Sequence, residues 1–136
     1  MADLVITPTD VRILGRTGAK VVQFGEAVTP GQLTYTLSSD GKQYLADCAD
    51  ALKIAMTGIV LSYCDADDYG YVFDSRGSTI DLGVALTEGV TYVISDTAGN
   101  IMPQTDLTTG QYLSIIGYGS SGVLSYQPNN TQLAVA

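Results

Sequence analysis

The sequence predicts an all-β fold: a compact β-barrel or sandwich of about ten short strands, built from two similar halves. Three observations carry this expectation. Val, Ile, Thr and Tyr dominate the apolar runs, and these residue types suit a pleated surface. Gly with Asp, Asn or Ser interrupts the runs, as in Ser39-Asp40-Gly41, Ala98-Gly99-Asn100 and Ser121-Gly122, because tight turns need residues that tolerate positive φ. A pattern also recurs 58 residues further along the chain.

Taken in order, the expected strands are Lys20–Phe24, Leu33–Leu37, Gln43–Ala46, Thr57–Tyr63, Tyr69–Asp74, Ser78–Leu82, Thr91–Ser95, Ile101–Pro103, Tyr112–Tyr118 and Val123–Tyr126. Two short helical turns are expected. One falls within Asp47–Lys53, which has an acidic start, and one near Thr7–Val11, where Thr7, Thr9 and Asp10 are capping residues.

The repeat sets the domain plan. Its first copy reads Gly25-Glu-Ala-Val-Thr-Pro-Gly31, then a Tyr-bearing strand and a turn at Gly41. Its second copy reads Gly83-Val-Ala-Leu-Thr-Glu-Gly89, then a Tyr-bearing strand and a turn at Gly99. Gly58 and Gly117 follow at an offset of 59, each inside an apolar strand. Thr-Pro-Gly31 and Thr-Glu-Gly89 read as tight turns, with Pro fixing one corner and Gly the next. Gly58 and Gly117 read as bulges or places of close backbone approach. Each half alone would expose a sheet face and its edges, so the two are expected to pack together. The chain is thus expected to divide into an N-terminal arm (1–17), a β domain (18–126, halves 18–75 and 76–126) and a C-terminal tail (127–136).

Composition narrows the function. The net charge is −8, unevenly spread. Residues 1–24 hold three cations against two acids, while the remainder holds three against twelve, a balance of −9. An acidic body repels phosphate backbones, so no nucleic-acid partner is expected. The opening MADLVITPTD lacks the basic and apolar regions of a secretory signal, and no apolar run is long enough to span a membrane as a helix. The two cysteines, Cys48 and Cys64, are expected as free, mostly buried thiols.

No catalytic constellation is legible. With no histidine, Ser-His-Asp and Cys-His arrangements are impossible, and so are histidine-bearing zinc sites. A G-x-G-x-x-G by letter, Gly117 to Gly122, has no helix after it and reads as a loop. Asp65-Ala-Asp67-Asp68-Tyr69-Gly70 begins like a calcium loop, but Arg76 stands where a bidentate Glu is needed. It reads as a solvated loop between strands. No cofactor and no catalytic residues are expected. The nine tyrosines, Tyr63, Tyr69, Tyr71, Tyr118 and Tyr126 among them, suit half-buried sheet faces or a partner surface.

The run Gly18-Ala-Lys-Val-Val-Gln-Phe-Gly25-Glu-Ala-Val-Thr-Pro-Gly-Gln-Leu-Thr-Tyr35, with Tyr44-Leu-Ala-Asp-Cys-Ala-Asp50, resembles small tailed-bacteriophage proteins of the capsid decoration (cement) or head-fibre type. So does Gly83-Val-Ala-Leu-Thr-Glu-Gly-Val-Thr-Tyr-Val-Ile-Ser95 with Gly99-Asn-Ile-Met-Pro103. The resemblance spans residues 4–126 and includes no catalytic signature. It implies a structural virion protein, made in the host bacterial cytoplasm and carried on the outer capsid surface. There it would assemble as a homotrimer, bridging subunits of the major capsid protein. Leu4, Val5, Ile6, Arg12 and Arg16, with the uncharged tail, are the expected partner contacts, because they lie outside the repeats. A fibre or receptor-binding module that holds a host glycan through tyrosines is the main alternative. A small two-carboxylate hydrolase and a head-completion or tail-tube subunit are further ones.

Overall fold

The computed structural model describes residues 3–14 and 19–135. Eleven strands form two antiparallel sheets. They are β1 (Val11–Ile13), β2 (Ala19–Gln23), β3 (Leu33–Thr36), β4 (Gln43–Leu45), β5 (Met56–Val60), β6 (Tyr69–Phe73), β7 (Thr79–Leu82), β8 (Thr91–Ile94), β9 (Ile101–Pro103), β10 (Tyr112–Ser120) and β11 (Val123–Ala134). Among the described residues, helix is limited to single 3-10 turns at Pro8–Asp10, Ala51–Lys53 and Gln104–Asp106. The first two fall inside the expected helical segments. Asp50 caps the second by accepting from Leu52 N–H at 2.9 Å.

The all-β, two-half expectation holds strand by strand. The first sheet runs β2-β6-β5-β3-β4 and the second β1-β7-β11-β10-β8-β9. Setting β1 aside, the second order is the first with each strand replaced by its counterpart from the other half. The register repeats too. Thr34 faces Gly58 and Tyr92 faces Gly117, and a register shift follows immediately in both sheets. Thr29-Pro-Gly31-Gln and Thr87-Glu-Gly89-Val both form turns with Gly at positive φ (93° and 76°) and an N–H to C=O bond of 3.3 Å. Each turn then docks on the central strand by equivalent bonds. Gly31 N–H donates to Val60 O at 2.8 Å, and Gly89 N–H to Gly119 O at 2.9 Å.

The central glycines have the predicted reason to be glycine. A Cβ on Gly58 would stand 2.7 Å from Phe73 O, and one on Gly117 would stand 2.0 Å from Ser125 O. Opposite Ile116, β11 bulges through Gln127 and Pro128. A residue without an N–H fits there because a bulge leaves the ladder unpaired.

The core has two parts. The larger lies between the sheets and joins Leu33, Ile59 and Phe73 of the first half to Ile80, Leu82, Val93, Ile116, Leu124 and Tyr126 of the second. Phe73 and Tyr126 meet edge to face at 5.2 Å. The smaller is the interior of the first half, made of Phe24, Val28, Val60 and Val72 with Val22, Leu45 and Cys64 around it. Neighbouring residues such as Ile59-Val60 and Val72-Phe73 therefore bury opposite faces. This is why those strands read as continuous apolar runs.

The two termini differ from their expected roles as arm and tail. In the first half the sheet curls until Gly25 N–H donates to Gln43 O at 2.9 Å, with Phe24 bridging Gln43. In the second half the counterpart of Gln43 is Ile101, and its carbonyl accepts from Leu4 N–H at 2.8 Å. The chain then crosses to β7, where Val11 faces Leu82 and Ile13 faces Ile80. Residues 4–13 thus fill a seam that the first half closes by itself. Leu4, Ile6, Val11 and Ile13 pack against the main core. Asp3 anchors the start by accepting from Ser95 Oγ (2.7 Å) and Asn100 Nδ2 (3.1 Å). At the other end, the expected strand Val123–Tyr126 continues to Ala134, which pairs with Tyr112.

Candidate partner surface

The five expected contact residues do not form one patch. Leu4 and Ile6 turn inward onto the core, while Val5 between them is 82% exposed. Strand alternation produces this split. Arg12 lies outward on β1, with Nε 3.4 Å from Asp81 Oδ2. It borders an open depression of about 560 Å³ lined by Thr9, Asp10, Asp81, Gly83 and Gly122. Arg16 lies outside the described residues.

The tyrosines separate into core and surface. Tyr126 is only 2% exposed, so it belongs to the core, and burial pushes its phenol up to about 12. Tyr63, Tyr69, Tyr71 and Tyr118 are exposed. Two of them make a patch. Tyr71 and Tyr69 share a face of β6 with the buried Phe73, two and four residues before it. Val21, directly opposite Tyr71 on β2, is 61% exposed. An exposed apolar side chain on an outer strand, beside two exposed tyrosines of the next strand, is a surface of the kind that protein partners cover.

Beside this patch lies the largest departure from the repeat. The second half joins its central strands by the two-residue turn Ser121-Gly122. The first half uses residues 61–68 for the same link, and these carry Tyr63, Cys64, Asp65, Asp67 and Asp68. The loop is held from outside. Lys42 Nζ donates to Asp67 Oδ1 at 2.7 Å, and Gln23 Nε2 to Asp67 O at 3.0 Å. The hydrogen bond that Lys42 donates to Asp67 raises the Lys42 pKa above its ordinary value. At the same rim, Tyr44 OH donates to Asp40 Oδ2 at 2.7 Å, which holds the Asp40 carboxyl below the usual range. The carboxylates of the loop face different partners: Asp68 Oδ2 accepts from Asp65 N–H, and Asp67 pairs with Lys42. No three His, Cys, Asp or Glu side chains converge on one point among the described residues.

Both thiols are free. Cys48 is fully buried and desolvation pushes it up to about 12, so it stays protonated at ordinary pH and is a poor nucleophile.

Compared with models of known families, with curated proteins and with solved structures, the chain matches none. No described helix is long and apolar enough to cross a membrane.

The sequence singled out the tyrosines but did not join Tyr69 and Tyr71 to Val21. The signal that joins them is the antiparallel register of β2 on β6, which depends on a link of 45 residues between those strands.

Proposed function

We propose that this protein binds the outer surface of a bacteriophage capsid and stabilises it by bridging major capsid protein subunits, acting as a homotrimer. The observation that carries the reading is the exposed Val21, Tyr69 and Tyr71 face on a body stitched together from both ends. Such a body can transmit load between partners, because residues 4–13 and 123–134 are bonded into the sheets. The Gly-rich repeat that resembles decoration proteins supports the same reading. Trimeric binding would let several modest contacts act together at high effective concentration. The test is light scattering on the purified protein, followed by mixing with undecorated heads and pelleting. A trimer that pellets with heads is expected. A protein that stays in the supernatant at saturating heads would overturn the reading.

One observation favours a second reading, a glycan-binding fibre module. An open groove of about 320 Å³ brings Tyr63 beside Thr29, Gln32, Asp65 and Asp68. An aromatic face flanked by amide and carboxylate groups suits a sugar ring. Binding to a glycan array that Tyr63→Ala abolishes would favour this reading over the capsid one.

A further inference from the structure

The outer edge of β2 is open, and its hydrogen bonds show which groups it presents. Phe24 N–H donates to Asp68 O at 2.9 Å, and Leu61 N–H donates to Tyr71 O at 2.9 Å. By antiparallel alternation, Lys20 and Val22 then bond to Val72 and Gly70, while Ala19, Val21 and Gln23 face away from the sheet. The other half gives the same phase. Tyr126 N–H donates to Ser78 O, and Leu14 N–H donates to Thr79 O from β1. Ser78 and Thr79 are the repeat counterparts of Lys20 and Val21. In the second half the Thr79 carbonyl is taken by Leu14, just past β1, and Asp81 faces Arg12 of β1. No described residue pairs with the outward groups of Val21.

The remaining sheet edges offer less. β9 is taken by Leu4, β4 by Gly25, and β1 is three residues long. β2 also lies in the chain's only cationic stretch, whereas the rest of the molecule carries −9. At its Gln23 end stand the exposed carboxylates of Asp67 and Asp68, and at its other end stands Lys20, 3.1 Å from Asp74.

We propose that β2 pairs with β2 of a second copy of this chain, antiparallel about a two-fold axis. Val21 exchanges both backbone bonds with the second copy's Val21, and Gln23 N–H reaches the second copy's Ala19 O. The antiparallel register brings Lys20 of each strand, already paired with Asp74, beside the Asp67 and Asp68 end of the other, so each cation gains further carboxylate neighbours. No like charges stand directly opposite, because Lys20 faces Val22. On the exposed face, the two Val21 side chains meet in the middle with a Tyr71 outside each. The two patches thereby join into one continuous face, as an isologous contact requires, and that face stays open to a further partner. A five-residue strand pair is small, so the contact is weak in solution and forms at high local concentration. It is separate from any three-fold contact and would join one trimer to the next. It does not depend on the capsid reading.

The test is sedimentation equilibrium from micromolar to millimolar protein. The wild type and Val21→Thr are expected to gain mass with concentration above that of the smallest species. Val21→Pro removes only an outward N–H, which an edge strand tolerates, and Val21→Asp places two carboxylates opposite each other while leaving the backbone intact. Both are expected to associate at least tenfold more weakly. A wild-type mass that stays flat to millimolar concentration would overturn the proposal. So would a folded Val21→Asp that associates like the wild type. Neither result bears on pelleting with heads, which tests the capsid reading alone.

Discussion

Replacing Gly117 with alanine probes the fold at its tightest point. A Cβ there would stand 2.0 Å from Ser125 O and 3.0 Å from Ser125 C, well inside contact distance. The obstacle is backbone, so β11 must move by about 1 Å, and the Gly117–Tyr126 pairing moves with it. Overpacking of this kind costs about 1–3 kcal/mol and a weakened ladder bond about 1 kcal/mol more, giving roughly 3 kcal/mol in total. With an unfolding entropy of about 2.1 cal/mol/K per residue, that lowers Tm by about 10 °C for a chain of this length. Gly58→Ala meets its obstacle, Phe73 O, at 2.7 Å and should lose about half as much. Gly89→Ala is the control, since nothing lies within 4 Å and only its φ of 76° is strained, at about 1 kcal/mol. The assay is thermal unfolding by circular dichroism at fixed pH and concentration. Gly117→Ala melting within 2–3 °C of the wild type, or above Gly89→Ala, would refute the claim that close backbone approach explains this glycine.

Other outcomes follow from the same structure. Deleting residues 1–13 should lower the urea midpoint and cost about 2–4 kcal/mol, because four partly buried apolar side chains leave the core; an unchanged midpoint would mean that the segment is dispensable. Arg12→Ala should cost less than about 0.5 kcal/mol, since its bond to Asp81 is solvent-exposed, and the same denaturation series checks it. Stability should fall as pH rises from about 9 toward 12. Cys48 and Tyr126 are held neutral in the fold, while the unfolded chain releases those protons, so raising the pH favours unfolding. Melting curves across that range check the sign. In the same folded protein at pH 8, Cys48 should resist thiol reagents until the chain is unfolded.

Much of the fold was legible because local chemistry and tertiary structure agree. The glycines at 31, 41, 89 and 99 all take positive φ, as turn residues must, and their constant spacing reported a strand order built twice. What escaped was long-range. Val11-Arg-Ile13 is too short a run to signal a strand, and only its pairing with Ile80–Leu82 makes it one. Pro128-Asn-Asn130 reads as tail, yet the proline sits at a bulge that lets β11 continue along β10. The partner surface was half legible. Tyrosine is a recognisable contact residue, but exposure depends on how far one sheet extends past the other. That overlap separates Phe73 in the core from Tyr71 at the surface.

The central structural claim is that one plan is built twice, and that the N-terminal segment covers only one of two equivalent edges. Residue-resolved hydrogen exchange on dilute protein tests it directly. Asp81 faces Arg12 of β1, so its amide should be protected, whereas the amide of Val21, on the uncovered edge of β2, should exchange near the free-chain rate. Equal protection at Val21 and Asp81, or fast exchange at both, would contradict the account.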